Sequence, residues 1–263
     1  DALERLAGVA GTQTDWLAHA AYVWTTAGAR PVATVAAPPL NLLRGIDAQK
    51  SAVLENLLRF AQGAAAHDMF LWGARGMGKS AVLRAAVAKA QAEMPDKLTL
   101  VQAANEEIDH LPHLFAELAR HPRQFLVYLD DLGFGDDDLQ GPRRLRSWLE
   151  GGVEARPANI RIAVTANRRA IVSRSAGEQD DPLNPRDDVD DRLALADRFG
   201  IALGFHACDQ DTFLAIVAGY ASHHDLAWDE GDALEWARRR GARSGRAAWH
   251  YLVELAGRAG KAI

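Results

Sequence analysis

A glycine-rich segment has the residue types and spacing that bind a phosphate chain. It follows the apolar residues 69–72 and precedes a stretch of helical periodicity, and it consists of Gly73, Ala74, Arg75, Gly76, Met77, Gly78, Lys79 and Ser80. The segment matches the pattern G-x-x-x-x-G-K-[ST]. Glycines let successive backbone amides face one phosphate, and the following helix N-terminus adds partial positive charge. We predict a nucleotide site where Lys79 contacts the β- and γ-phosphates and Ser80 binds Mg²⁺.

Polar side chains end two later apolar runs. Asp130 and Asp131 follow FLVYL, and Asn167 ends VTAN. An apolar strand that ends in two acids has the residue order of a Walker B element. In such an element, Asp130 would hold Mg²⁺ directly or through water. Asp131 stands where many ATPases carry a longer Glu that polarises the attacking water, and the Asn167 amide would hold that water near the γ-phosphate. The structural alternatives are acids that cap the next turn and an Asn that starts one.

Alternating strand and helix patterns surround these residues. Predicted strands cover residues 69–72, 98–104, 124–131, 159–167 and 200–205. Predicted helices cover residues 47–62, 81–91, 109–120 and 142–150. This alternation predicts an α/β fold with a parallel sheet and helices on both faces. Beyond Asp209 only helical patterns remain, over residues 210–222, 229–240 and 245–258, which predicts a small all-helical C-terminal lid.

The chain divides into three predicted parts. An N-terminal helical appendage covers residues 1–41, the α/β core covers 42–207 and the lid covers 208–263. The appendage rests on a helical stripe of apolar residues within 13–27. We predict that the appendage ends near Pro38 and Pro39, because two consecutive prolines exclude regular helix.

Composition narrows the class of protein. The chain has 263 residues, 48% hydrophobic and 25% charged, which excludes disorder of the whole chain. Cys208 is the only cysteine, which excludes a disulfide framework and a thiolate zinc cluster and favours the cytoplasm. No run approaches the roughly 18 apolar residues of a membrane span, and no secretion-signal pattern opens the sequence, so we expect no membrane partner.

Charge is unevenly distributed, although the net charge is only −5. Residues 236–263 contain seven Lys and Arg against one acid, and residues 173–191 contain seven acids against two Arg. Both tracts are either solvated surface or complementary surfaces of neighbouring subunits. The acidic balance does not indicate nucleic acid as a partner. The basic run of Arg143, Arg144 and Arg146 keeps nucleic-acid binding open as an alternative, but its periodicity favours the solvent-exposed face of a helix.

The motifs and their order along the chain resemble those of the AAA+ class of P-loop ATPases. The likeness covers about residues 40–258 and includes the phosphate loop, Walker B, Asn167, the segment ADRFG and Gly245-Arg246. More narrowly, LRGIDAQKSAVLENLLRFAQG, LEGGVEARPANI, TANRRA and LALADRFGIALGF resemble a bacterial family of uncharacterised AAA+-like ATP-binding proteins, grouped as a domain of unknown function. The chain is more distantly similar to AAA+ initiators and clamp loaders. The resemblance implies the AAA+ fold, with ATP and Mg²⁺ as ligands.

The resemblance also implies roles for residues outside the phosphate loop. Arg198 in ADRFG matches the arginine finger, which reaches the γ-phosphate of a neighbouring subunit, and Arg192 is the alternative candidate. Arg246 matches the sensor arginine of the lid, which contacts nucleotide within its own subunit. Residues 42–47, LLRGID, match the segment that contacts adenine. For each arginine, the alternative is a surface salt bridge.

Three functions share such a phosphate loop. The first is an ATPase that forms a homo-oligomer in the ATP state and uses hydrolysis to ADP and phosphate to remodel an unknown protein partner. The second is a slow-turnover, ATP-bound switch or adaptor. The third is a small-molecule kinase, which the helical lid and the ordered set Asp130, Asn167, Arg198 and Arg246 disfavour. A peptide-threading unfoldase is disfavoured because no aromatic-Gly pore loop occurs between Leu98 and Pro112.

Overall fold

Short apolar runs form the strands of one sheet. The computed structural model describes residues 14–133, 149, 156–167 and 197–263. Its strands are β1 (Ala21–Thr25), β2 (Gly28–Val32), β3 (Met69–Gly73), β4 (Leu98–Ala103), β5 (Gln124–Leu129), β6 (Ile160–Ala166) and β7 (Ile201–Phe205). Its helices are α1 (Asp47–Ala61), α2 (Lys79–Glu93), α3 (Leu111–Leu118), α4 (Gln210–His223), α5 (Glu230–Arg239) and α6 (Gly245–Arg258), with 3₁₀ turns at Leu40–Leu42 and Asn105–His110.

The strand order decides which loops meet. It is β2-β1-β4-β5-β6-β3-β7, with β1 and β2 antiparallel and the other neighbours parallel. Strand β6 therefore lies between β3, which leads into the glycine-rich loop, and β5, which leads into the two acids. Because parallel strands end at the same edge, all three segments come together there.

Helices cover both faces of the sheet, as predicted. The side chains of β3 alternate between two apolar cores: Met69 and Leu71 pack in the core that contains residues of α1 and α2, whereas Phe70 packs in the core that contains residues of α3. This alternation is the period-2 geometry of a strand buried on both sides.

The N-terminal helix predicted over residues 13–27 is wrong for the residues that the structure describes. Residues 21–25 and 28–32 are β1 and β2, and β1 extends the sheet by pairing with β4. Tyr22 and Trp24 alternate along β1 and share one core with the fully buried Trp16, whose Nε1 donates to Glu117 at 2.7 Å. Ala20, Ala21 and Trp24 have helical spacing, but the pairing of residues 21–25 with the sheet overrides that local pattern.

The three C-terminal helices have a core of their own. Phe213 and Val217 of α4 pack with Ala248, Tyr251 and Leu252 of α6, and residues of α5 join them. Each helix starts with a side-chain cap: Asp209, Asp229 and Ser244 accept the backbone N–H of Thr212, Asp232 and Ala247, respectively. These are the predicted lid helices. Within the described ranges, no helix is both long and apolar enough to cross a membrane.

Several sequence predictions fall outside the described residues. They are the helix over 142–150 except for Leu149, the basic run Arg143, Arg144 and Arg146, the acidic tract 173–191 and the alternative finger Arg192.

Candidate functional site

The glycine-rich loop is held in place by its neighbours. Gly73 has φ 131°, and a Cβ there would lie 2.0 Å from the carbonyl oxygen of Phe205 at the end of β7. The next amide, that of Ala74, donates to the same oxygen at 2.8 Å. Only glycine lets the backbone at position 73 come this close to Phe205, and the contact fixes the direction in which the loop leaves β3. Gly78 has φ 92° and precedes α2, which begins at Lys79.

Lys79 lies inside this loop. Its side chain is buried, and Nζ donates to the carbonyl oxygens of Gly73 at 2.8 Å and Ala74 at 2.9 Å, and to Oδ1 of Asn167 at 3.3 Å. Burial lowers the pKa of Lys79, although Asp131 and Asp130 nearby oppose that shift. The ammonium group therefore stands at the centre of the loop and beside the end of β6.

Asp130 and Ser80, the two predicted Mg²⁺ ligands, are in contact. Oδ1 of Asp130 accepts hydrogen bonds from Ser80 Oγ at 2.7 Å, Tyr128 Oη at 2.5 Å and Thr165 Oγ1 at 2.7 Å. Burial alone would raise the pKa of Asp130, but these three donors lower it below the ordinary value. The carboxylate therefore stays charged. Oxygen atoms are the ligands that Mg²⁺ prefers, so the Asp130 carboxylate and the Ser80 hydroxyl fit the ion.

Asn167 connects the loop to the second acid. Its Oδ1 accepts from Lys79, and its Nδ2 donates to Oδ1 of Asp131. Asp131 is exposed and has a left-handed backbone, φ 52°, with its N–H bonded to Thr165 Oγ1 at 2.8 Å. The amide of Asn167 therefore lies between a cation and a carboxylate, where it can orient a polar group between them.

The lid touches the loop at the start of α6. The backbone N–H of Arg246 donates to the carbonyl oxygen of Gly76 at 3.1 Å. A Cβ on Gly76 would lie 3.0 Å from both Arg246 Cβ and Ser244 Oγ, so the glycine lets the lid approach. The charge of Arg246 also contributes to lowering the pKa of Lys79. Arg246 is thus beside the phosphate loop of its own chain.

The segment LLRGID runs between the loop and the lid. A Cβ on Gly45 would lie 2.4 Å from Thr212 Cγ2 in α4, and a Cβ on Gly78 would lie 3.4 Å from Ile46 Cδ1. Leu42 packs in the lid core, whereas Leu43 and Ile46 pack in the core beneath α1 and α2. The predicted adenine-contact segment therefore adjoins the loop.

Arg198 lies at the opposite end of the strands, where β7 and β3 begin. It precedes β7, where Ile201 pairs with Met69 at the start of β3, while the loop follows Gly73 at the end of β3. Phe199 stacks on Phe70 with ring centroids 5.4 Å apart, which fixes this turn beneath the sheet. The structure does not bring Arg198 to the other site residues of the same chain.

Three site residues were missed by sequence reasoning. Tyr128 and Thr165 donate to Asp130, and Asn105 Nδ2 donates to the carbonyl oxygens of Asp130 at 3.3 Å and Asp131 at 3.4 Å. The first two stand two residues before Asp130 and Asn167, so period 2 puts each pair on one face of its strand. That spacing was the available signal.

Solved structures with a similar fold include a branch migration motor and a DNA-bound protein. The RuvB Holliday junction branch migration motor of Thermotoga maritima matches with a TM-score of 0.52 at 13% identity, over 85% of this chain and 66% of its own. The Aeropyrum pernix Orc1 protein in complex with DNA matches with a TM-score of 0.56 at 16% identity, over 82% of this chain and 61% of its own. This chain spans less than two thirds of the length of either, and the likeness shows the fold. The chain has the AAA+ type of P-loop NTPase fold, as predicted.

The family is equally clear. The chain belongs to the family described as "Protein of unknown function (DUF815)", whose model matches residues 17–259, so the predicted family resemblance is confirmed. No curated protein has a sequence that matches this chain. Since the family description assigns no activity, the function has to be argued from the site.

Proposed function

We propose that this protein binds ATP with Mg²⁺ and hydrolyses the ATP to ADP and phosphate, in a homo-oligomer that remodels a partner protein. One observation carries the proposal. Hydrogen bonds join Lys79 to Asn167 and Asn167 to Asp131, and beside them Ser80 to Asp130, all at the edge where β3, β5 and β6 end. A cation, an amide and two carboxylates in that order suit phosphoryl transfer to water.

The loop supplies the binding contacts. Its amides and the N-terminus of α2 would receive the phosphates, since both favour negative charge. Lys79 donates to carbonyl oxygens of its own loop, and it would exchange these bonds for phosphate oxygens. Ser80 and Asp130 would hold Mg²⁺, which neutralises charge on the phosphates when it is bound.

The second acid and the asparagine act on water. Asp131 would accept the proton of the attacking water, and Asn167 would hold that water near the γ-phosphate. Arg246 would contact the nucleotide from the lid of the same chain. When the lid closes, its charge would replace solvent at the phosphates.

The oligomer supplies the last charge. Arg198 stands at the edge opposite the phosphate loop of its own chain, so as a finger it would serve the loop of a neighbour. A guanidinium at the γ-phosphate stabilises the charge of the transition state. The complementary tracts at 173–191 and 236–263 would favour such contacts between subunits.

A slow-turnover switch is the second candidate. Asp131 is one methylene shorter than Glu, and its carboxylate already accepts the amide of Asn167. An acid held in this way would activate water poorly, and the protein would then remain loaded with ATP.

Steady-state ATP hydrolysis measured across protein concentration tests the proposal and separates the two candidates. The proposed oligomer predicts that turnover per chain rises with concentration, because one chain completes the site of another. Arg198→Ala should lower turnover about 100-fold with ATP affinity nearly unchanged, by the scale of charged transition-state groups. Mixing it with Lys79→Ala chains restores some activity if dimers suffice, since one mixed interface keeps an intact loop and an intact finger. Parent-like turnover of Arg198→Ala at every concentration would refute the finger and favour the switch. DNA, added in a parallel series, should leave turnover unchanged.

A further inference from the structure

Tyr128 and Thr165 have a role that the motif does not assign. We propose that they are positioning residues. Their hydrogen bonds hold Oδ1 of Asp130 in place and thereby leave Oδ2 for Mg²⁺. The inference rests on the proposed function. Among the described residues, every hydrogen bond to this carboxylate falls on Oδ1, and none falls on Oδ2. Of the three donors, Ser80 is itself a predicted metal ligand, so only Tyr128 and Thr165 are free of that task.

Tyr128 is a rigid support for the carboxylate. Its side chain is fully buried, in the core that also contains Met69 and Leu71 of β3. Its hydroxyl donates to Asp130 Oδ1 at 2.5 Å. A buried tyrosine hydroxyl needs a partner, and a hydrogen bond to a charged acceptor is among the strong ones. The ring cannot turn away without leaving the hydroxyl unpaired in an apolar core, so the bond fixes the rotation of the carboxylate.

Thr165 connects both acids. Its Oγ1 donates to Asp130 Oδ1 at 2.7 Å and accepts the N–H of Asp131 at 2.8 Å, and its carbonyl oxygen accepts the N–H of Leu132 at 2.7 Å. The side chain is 1% exposed and lies on β6, between β3 and β5. Thr165 therefore positions the metal ligand and also holds the left-handed turn that carries Asp131.

These contacts predict an effect on metal binding rather than on nucleotide binding alone. Groups that orient a metal ligand typically change metal affinity 10–100-fold when they are removed. Tyr128→Phe removes one hydroxyl and keeps the ring, so the core remains filled. We expect the Mg²⁺ concentration that half-saturates ATP binding to rise about 10-fold, whereas the affinity for ATP in EDTA stays within about twofold.

The experiment is a titration of a fluorescent ATP analogue into the full chain, in EDTA and at a series of Mg²⁺ concentrations. The control is Tyr22→Phe, which removes the hydroxyl of another buried tyrosine, one that donates to the backbone carbonyl oxygen of Asp15. We expect this control to match the parent in both conditions. A Tyr128→Phe variant with the parent's Mg²⁺ requirement overturns the inference and leaves the proposed function standing. A parent that binds no nucleotide overturns both.

A second pair of variants separates positioning from packing. Thr165→Val keeps the shape and removes the hydroxyl, and Thr165→Ser keeps the hydroxyl. We expect Thr165→Val to raise the Mg²⁺ requirement about 10-fold and Thr165→Ser to restore it to near the parent's. Equal Mg²⁺ requirements for the two variants would contradict a role for the hydroxyl.

Discussion

The two edges of the sheet hold buried polar groups in opposite ways. At the edge where β3 begins, the groups pair with one another. Asp68 forms an ion pair with Arg156 at 2.5 Å and accepts the backbone N–H of Ile162 at 2.7 Å. The amide of Asn56 exchanges two hydrogen bonds of 2.9 Å with the backbone of His67. These pairs join α1, β3 and β6, and they leave the carboxylate with partners on both oxygens.

At the edge where β3 ends, hydrogen bonds join the side chains through Asn167 and Ser80, but among the described residues the cation and the carboxylates do not pair directly. Lys79 donates to loop carbonyls rather than to a carboxylate, Asp131 is exposed, and one oxygen of Asp130 has no hydrogen bond within the described residues. Buried charge alone therefore does not mark a functional site. What distinguishes this edge is that three strand ends and a glycine loop direct unlike groups to one place.

The largest expected effect is the loss of ATP binding in Lys79→Ala. Removing a buried cation from its phosphate partner costs about 2–5 kcal/mol, so we expect the affinity to weaken by about 30-fold to about 4,000-fold. Lys89→Ala is the matched control, because Lys89 lies further along α2 and pairs with Glu93 at 3.0 Å on the surface. Calorimetry of ATP binding measures both. Unchanged affinity of Lys79→Ala would remove the distinction between the edges.

Asp131→Asn should affect turnover and spare binding. It keeps the size of the side chain but removes the charge that acts on water, so we expect about a 100-fold lower kcat and a similar ATP affinity. Asp130→Asn is the contrasting variant, since it should change the Mg²⁺ dependence of binding instead. Hydrolysis by Asp131→Asn at the parent rate would make this acid structural.

The opposite edge should show the reverse pattern. Asp68→Ala leaves Arg156 without its partner, and we expect the free energy of unfolding to fall by about 2 kcal/mol, below the 3–5 of fully buried pairs because Arg156 is partly exposed. ATP affinity of the folded variant should match the parent's. Urea unfolding and nucleotide titration on the same preparation measure both quantities. Weakened ATP binding without lost stability would contradict the division between the edges.

Arg246→Ala should have the smallest of these effects. Its guanidinium acts from the lid, so we expect about a 10-fold weaker ATP affinity, the scale of one hydrogen bond to a charged group. The effect should persist in dilute protein, since the contact lies within one chain. Arg243→Ala is the control, because Arg243 is exposed and precedes the cap Ser244. Equal affinities for Arg246→Ala and the parent would count against the sensor role.

Local sequence pattern was more informative about the candidate site than about the N-terminal part of the sheet. The loop and the acids could be predicted because each is a short run whose residue types dictate its chemistry, and because strand order along the chain brings their ends to one edge. The strands at residues 21–32 could not be predicted, because the spacing of Trp16, Leu17, Ala20, Ala21 and Trp24 fits a helix, and only pairing with β4 favours a strand instead. Tyr128 stands two residues before Asp130, and that spacing is its only signal in the sequence, whereas the contact of Thr165 with Asp130 depends on the position of β6 beside β5.

Hydrogen exchange of the parent chain, with and without Mg²⁺ and ATP, tests most directly whether nucleotide binds at this edge. We expect nucleotide to slow exchange in peptides that cover residues 73–80, whose amides would bind phosphate, and near Arg246, where the lid meets the loop. Peptides covering residues 56–68 at the other edge should exchange as before. Protection confined to other segments, or no protection at saturating ATP, would contradict a nucleotide site at this edge.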